Sequence, residues 1–305
     1  MLNDEGDVAP ATRERVLAAC EELGYTRSNL GRSLKTGATG NIGVAIMSRH
    51  APVILNPFYT VVIGGIEQEL SQAGLHLLLS SLKRRGDLLA LAQEGRVDGL
   101  LVVGCDIDDE DLENLRRSRR PVVLIDHQHP GLPSVSVDHE GGGRLAAQHL
   151  LEAGVRQPAF VTENLTNPNF RSRLRGFQAE LDRHGVALHA TGIAQGGDSW
   201  DGGYYAMRQV LEREEAPDGV FAANDPAALG ALRALAEAGR KVPDDTRVIG
   251  FDDIHMASQT GLTTVRVGKL DLGRTGAHML LELIETRQPP RDVTLTGELV
   301  RRVSA

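Results

Sequence analysis

Two doubly wound α/β subdomains in tandem are the fold that this sequence predicts, and three observations predict it. Short apolar runs such as Ile42–Met47, Gly99–Val103 and Val122–Ile125 alternate with amphipathic stretches, the pattern of a parallel sheet covered by helices. The alternation restarts after Ser134–Val137 and runs through again to Val248–Phe251. A hydrophobic fraction of 41% over 305 residues is enough for two cores of ordinary size.

The elements follow in order. Val16, Leu17, Cys20 and Leu23 recur at helical spacing, so Thr12–Leu23 reads as an amphipathic helix that Gly24 stops. In the polar, basic stretch Ser28–Gly40, Leu30 and Leu34 lie four apart, on one face of any short helix, flanked by Arg32 and Lys35. Ile42–Met47 then opens the body as a strand, and Phe58–Ala73 is a helix ended by Gly74. Leu75–Ser80, Gly99–Val103 and Val122–Ile125 continue as strands, with helices near Asp87–Glu94 and Asp108–Ser118, and Ser134–Val137 adds one more strand. Leu145–Ala153, Ala159–Val161, Arg171–His184, Tyr204–Leu211, Val220–Ala222, Pro226–Ala238 and Val248–Phe251 form the second set.

Composition narrows the function. The net charge is −8, so no global positive field draws nucleic acid, and DNA contact must come from a local basic segment. Cys20 and Cys105 lie far apart and suggest a reducing compartment instead of a disulfide framework. No signal peptide opens the chain and no apolar run is long enough to span a bilayer, which points to the cytoplasm. An enzyme is disfavoured: there is no G-x-S-x-G elbow, P-loop or H-E-x-x-H. Gly141-Gly142-Gly143 lacks dinucleotide-binding spacing and reads as helix entry, while His127 and His129 beside Pro130 read as a turn, not a metal site. Neither a metal nor a cofactor is expected.

In open α/β sheets ligands sit beyond the carboxyl ends of the strands. Asp126 follows VVLI, Asn224 and Asp225 follow GVFAA, and Asp252 and Asp253 follow RVIGF. Each has a plainer alternative as a helix N-cap, which Asp and Asn favour in such places. The cap reading is preferred for Asp225 and Asp253.

The motifs NPFYTVVIGGIEQEL, RVDGLLV, PVVLID, SVSVDHEGGG, RLRGF, GVFAANDPAALGALRAL, VPDDTRVIGFDDI and LTTVRV occur in the order found in the lactose/galactose-repressor (LacI/GalR) family, which this chain resembles throughout. The run Val8–Gly43 is similar to the end of that family's headpiece, with third helix, hinge helix and entry to the regulatory core. The resemblance implies a periplasmic-binding-protein-like core in two lobes, with domains at 1–27 (partial helix-turn-helix headpiece), 28–40 (hinge), 41–138 plus 268–296 (first lobe) and 139–267 plus 297–305 (second lobe). It further implies a homodimer that binds operator DNA and a small effector between the lobes. A sugar is the expected effector, with a nucleobase as runner-up. Asn224 and Asp252 then become ligand contacts, joined by Asp126, Arg173 in RLRGF, Asn167, Asn169, and aromatic covers from Trp200 and Phe58. Asn29, Arg32, Ser33, Leu34 and Lys35 become hinge contacts to DNA, Leu34 acting as an apolar wedge.

The chain departs from the family pattern in places. Gly31 stands where relatives carry alanine, at a cost of about 1 kcal/mol in helix propensity. The loop Ser48–Asn56 is longer than usual and Ser81–Arg96 shorter. Met1-Leu2-Asn3 aligns with the close of the family's second helix, so residues 1–305 are expected to bind effector and dimerise without recognising an operator. The alternative is the sugar-binding protein of a transport system. That protein would carry a secretion signal and no helix–hinge element before the first strand.

Overall fold

The computed structural model describes residues 9–23, 38–47, 55–82, 84, 86–104, 107–197, 201–213, 216–288 and 291–305. The hinge residues Asn29, Arg32, Ser33, Leu34 and Lys35, and also Trp200, lie outside them. The chain divides into two units, Met1–Gly40 and Asn41–Ala305.

In the first unit, helix α1 spans Pro10–Glu22, two residues earlier at its start than its periodicity predicts. Proline at its first turn explains the shift, because the missing N–H falls where no intrahelical partner exists. Leu23, predicted as part of the apolar stripe, is 80% exposed.

The second unit holds two six-stranded sheets. The first is built from β1 (Asn41–Met47), β2 (His76–Leu82), β3 (Gly99–Val103), β4 (Val122–Ile125), β5 (Ser134–Val137) and β11 (Asp292–Leu295), in the order β11-β5-β4-β3-β1-β2. The second is built from β6 (Pro158–Thr162), β7 (Ile193–Gln195), β8 (Gly219–Ala222), β9 (Arg247–Asp252), β10 (Thr263–Arg266) and β12 (Glu298–Val300), in the order β12-β10-β9-β8-β6-β7. Pairing is parallel except between β10 and β12. The two-lobed α/β fold read from the sequence is therefore present.

Helices cover the sheets. In the first lobe these are α2 (Pro57–Gln72), α3 (Asp87–Gln93), α4 (Asp109–Ser118) and α10 (Lys269–Thr286). In the second they are α5 (His139–Glu152), α6 (Pro168–Arg183), α7 (Gly202–Leu211), α8 (Asp225–Glu237) and α9 (His255–Gln259). Two differ most from the periodicity reading. Helix α5 begins six residues before Leu145, capped by Asp138, whose Oδ1 accepts the Gly141 N–H at 2.7 Å. Helix α10, at 18 residues, is one that the periodicity reading passes over. Both carry internal glycines that lower helix propensity, and both need them for packing. A β-carbon on Gly273 of α10 would stand 2.0 Å from the Val62 carbonyl oxygen of α2, and one on Gly143 of α5 would stand 2.1 Å from that of Arg173 on α6. Each lobe thus docks at least one helix pair backbone to backbone.

The core is aliphatic in the first lobe (Ile42, Ile46, Leu100 and Leu101) and carries an aromatic cluster in the second. Phe177 and Phe160 meet Phe221 with ring centroids 5.1 and 5.5 Å apart. The chain passes between lobes three times: after β5 at Asp138, after β10 at Val267, and between β11 and β12. The face between the lobes is formed where β4, β6, β8 and β9 end. No helix among the described residues is long and apolar enough to cross a membrane.

Candidate functional site

The strand ends place the polar residues. Asp126 follows β4, Asp252 closes β9, and both are held in the left-handed region at φ 61° and 104°. Such backbone costs about 1–3 kcal/mol per residue and persists only where the surroundings fix it. The fixing groups are visible. Asp126 Oδ2 accepts the Asn169 side-chain amide at 2.9 Å, and its Oδ1 lies 2.9 Å from His139 Nε2. The Lys269 ammonium donates to the carbonyl oxygens of Asp252 and Asp253.

Arg173, on the second turn of α6, is 3% exposed and joins these groups. Its Nε donates to His139 Nδ1 at 3.3 Å, one terminal nitrogen donates to the Ala223 carbonyl, and the other reaches Asp252 Oδ1 at 3.4 Å. The guanidinium lies 3.6 Å from the ring centre of Phe251. Because arginine has only donors, His139 Nδ1 must accept, so Nε2 carries the proton donated to Asp126. A continuous chain results: Asp252, Arg173, His139, Asp126, Asn169. It leaves the second lobe, touches the first at Asp126, and returns.

A cavity of about 90 Å³ lies against this chain, lined by Asn56, Phe58, Tyr59, Asp126, Asn167, Asn169, Phe170, Arg173, Asn224 and Asp252. It brings together the residues singled out in the sequence, apart from Trp200. Phe58 is buried at the start of α2, edge-on to Tyr59 at 5.4 Å, and serves core and cavity at once. Asn167 caps α6, accepting the N–H groups of Asn169 and Phe170. The helix-cap expectation shifts by one residue at β8. Asn224, not Asp225, caps α8 through Ala227 N–H at 2.8 Å, and its amide donates to Glu163 Oε1 at 2.8 Å. Asp225 instead accepts from Thr264 Oγ1 and Ile254 N–H, and Asp253 accepts from Arg266 and Arg302 at 2.7 Å each. Both tie the second sheet together.

The chain is similar to known proteins along its whole length. A family model described as a periplasmic binding protein-like domain matches residues 147–305. The transcriptional repressor PurR of Haemophilus influenzae (strain PittEE) is 33% identical over 317 residues, an alignment covering all of this chain and 93% of that protein. Among solved structures, the regulator CelR in complex with cellobiose superposes at TM-score 0.81 with 29% identity, covering 100% of this chain and 94% of that one. The lac repressor dimer bound to operator and the anti-inducer ONPF gives 0.87 with 28% identity, covering 99% and 92%. The chain belongs to the LacI family of transcriptional regulators. The transport-protein alternative gives way to a regulator.

Three groups at this LacI-family cleft are absent from the sequence reading. His139 links Arg173 to Asp126. Glu163 directly follows β6, and its Oε2 is buried without a partner among the described residues. The strand-end rule that selects Asp126 and Asn224 would have found it. Lys269 opens α10. Burial pushes the carboxyls of Glu163 and Asp252 up, opposed by the Asn224 hydrogen bond at the first and by Arg173 and Lys269 at the second. It lowers Lys269 against the pull of Asp252.

Burial, reinforced by the charge of Asp252, pushes Asp225 from 3.8 to about 8. The folded state therefore holds a proton that the unfolded chain has released, and this favours folding fully below the unfolded value. That contribution is lost as pH rises from about 4 to 8. The urea midpoint should fall across this window, and Asp225→Asn should flatten the fall. An equally steep profile in the variant would assign the dependence to other groups.

Proposed function

We propose that this regulator senses a carbohydrate with the polar chain between its lobes and, in the full-length protein, transmits the event to operator DNA as a homodimer. The observation that carries the reading is the alternation of donors and acceptors around the small cavity. Arg173 and the Asn169 amide offer N–H groups, while Asp126 and Asp252 offer carboxylate oxygens. A sugar hydroxyl donates and accepts together, so it suits such a mixed wall. The cellobiose bound by CelR, 29% identical to this chain, supports the class.

The mechanism follows from the bonds that these groups already make. Asp126 is the first lobe's carboxylate at the cavity and bonds Asn169 and His139 of the second. A ligand that hydrogen-bonds Asp126 or Asn169 competes with an inter-lobe bond, so binding and lobe arrangement are linked. The shift can be no larger than the difference in ligand affinity between arrangements. Residues 28–40, with Asn29, Arg32, Ser33, Leu34 and Lys35, would carry it to the operator. We place the headpiece at 1–27 and the lobes at 41–138 plus 268–296 and 139–267 plus 297–305.

Calorimetry with a panel of sugars and nucleobases tests the ligand class. A sugar is expected to bind, and binding by nucleobases alone would sink the reading. Trp200 gives an independent check, because it is the only tryptophan in the chain. If it covers a ring face of the ligand, its emission should shift on saturation. Unchanged emission and quencher access would place it outside the pocket.

A further inference from the structure

A second cavity lies on the other side of Asp126 and Asn169, towards the segments where the chain changes lobes. Its volume is about 350 Å³, against about 90 Å³ for the inner one. The first lobe contributes His127, Gln128, Ser136 and Thr294, and the second contributes Glu140, Pro168 and Ser172. Asp126 and Asn169 line both cavities, so the 2.9 Å bond between them is the partition. Ligand pockets commonly run from about 300 to 1,000 Å³, and only the outer cavity of the two reaches that range.

The outer walls suit a neutral hydroxylated ring. Asp138 and Glu140 are offset by Arg144 and Arg175, which lie 3.5–3.8 Å from their carboxylates. With Asp126 counted, the wall carries one carboxylate more than the two flanking arginines, which disfavours an anion and leaves acceptors for hydroxyl groups. Burial lowers the His127 pKa, so its ring is neutral near pH 7 and offers one donor and one acceptor nitrogen. Gln128 and Ser136 hold each other at 3.0 Å, and Ser172 adds a second hydroxyl. Pro168 adds an apolar ring to the lining.

We propose that this outer cavity is a second saccharide subsite, joined to the inner one when a ligand opens the Asp126–Asn169 bond. The proposal rests on the reading that the inner cavity binds a sugar. Two sources could fill the outer subsite: the second ring of a disaccharide, or a separate monosaccharide.

Calorimetry distinguishes them, with wild type, His127→Ala and Thr294→Phe titrated against matched mono- and disaccharides. Neither substituted residue lines the inner cavity, and unaltered thermal unfolding verifies that each variant folds. With one ligand filling both subsites, the disaccharide should bind about tenfold tighter than the monosaccharide, the scale of one or two added hydrogen bonds. Either substitution should erase that gain and leave monosaccharide binding as it was. With separate ligands, the wild type should take up two monosaccharides per protomer and the variants one. A single monosaccharide per protomer, no tighter binding of disaccharides and no effect of either substitution would overturn the second subsite alone. Failure of every sugar to bind would overturn the carbohydrate reading, and the subsite with it.

Discussion

Arg173→Ala is expected to weaken effector binding by about 2–5 kcal/mol, a loss of roughly thirtyfold to several thousandfold. The size follows from what the guanidinium holds. It is nearly fully buried and bonds His139, Ala223 and Asp252 together while lying on Phe251. Truncation leaves the Asp252 carboxyl without its arginine partner and frees the His139 ring that orients Asp126. Arg173→Lys should recover little, since an ammonium cannot reproduce a planar fork with three partners. Calorimetry on both variants checks this, with circular dichroism to confirm the fold. Wild-type affinity in folded Arg173→Ala would remove the residue from the site.

A large effect on stability is expected at Gly176. Any β-carbon there would overlap the Glu140 carbonyl oxygen at 1.9 Å, and backbone cannot step aside as a flexible side chain can. Gly176→Ala must therefore separate α5 from α6, at a cost of about 3 kcal/mol, the upper part of the usual range for overpacking. Gly64 of α2 is the control, because nothing lies within 4 Å of a β-carbon built on it. There alanine should stabilise by about 0.4–1 kcal/mol. Urea midpoints of the two variants should move in opposite directions, and a neutral Gly176→Ala would contradict the close approach. Since α5 and α6 carry His139 and Arg173, the same substitution should also weaken effector binding.

These contrasts show why part of the molecule is legible in the sequence and part is not. Buried parallel strands announce themselves as continuous apolar runs, so β1, β3, β4 and β9 read close to their observed limits. Asp126, Asn224 and Asp252 are legible because strand ends are where such sheets bind ligands. Helix α10 and the start of α5 are obscured by glycines, which favour close packing and disfavour helix. His139 and Lys269 carry no local signal. Their partners lie 13 to 34 residues away for His139, and 16 and 17 for Lys269, and only the folded chain brings them together. The choice between Asn224 and Asp225 as cap depends on one peptide's orientation, which side-chain preference cannot resolve.

If a sugar occupies the space between the lobes, it does so by taking over the polar chain that joins them. Hydrogen exchange with and without saturating sugar reads that exchange of partners on both lobes at once. Protection should change together in Asp126–Glu140 and in Asn167–Gly176, because Asp126 and Asn169 give up their mutual bond in one event. A sugar that binds tightly while altering only one of these segments, or neither, would contradict it.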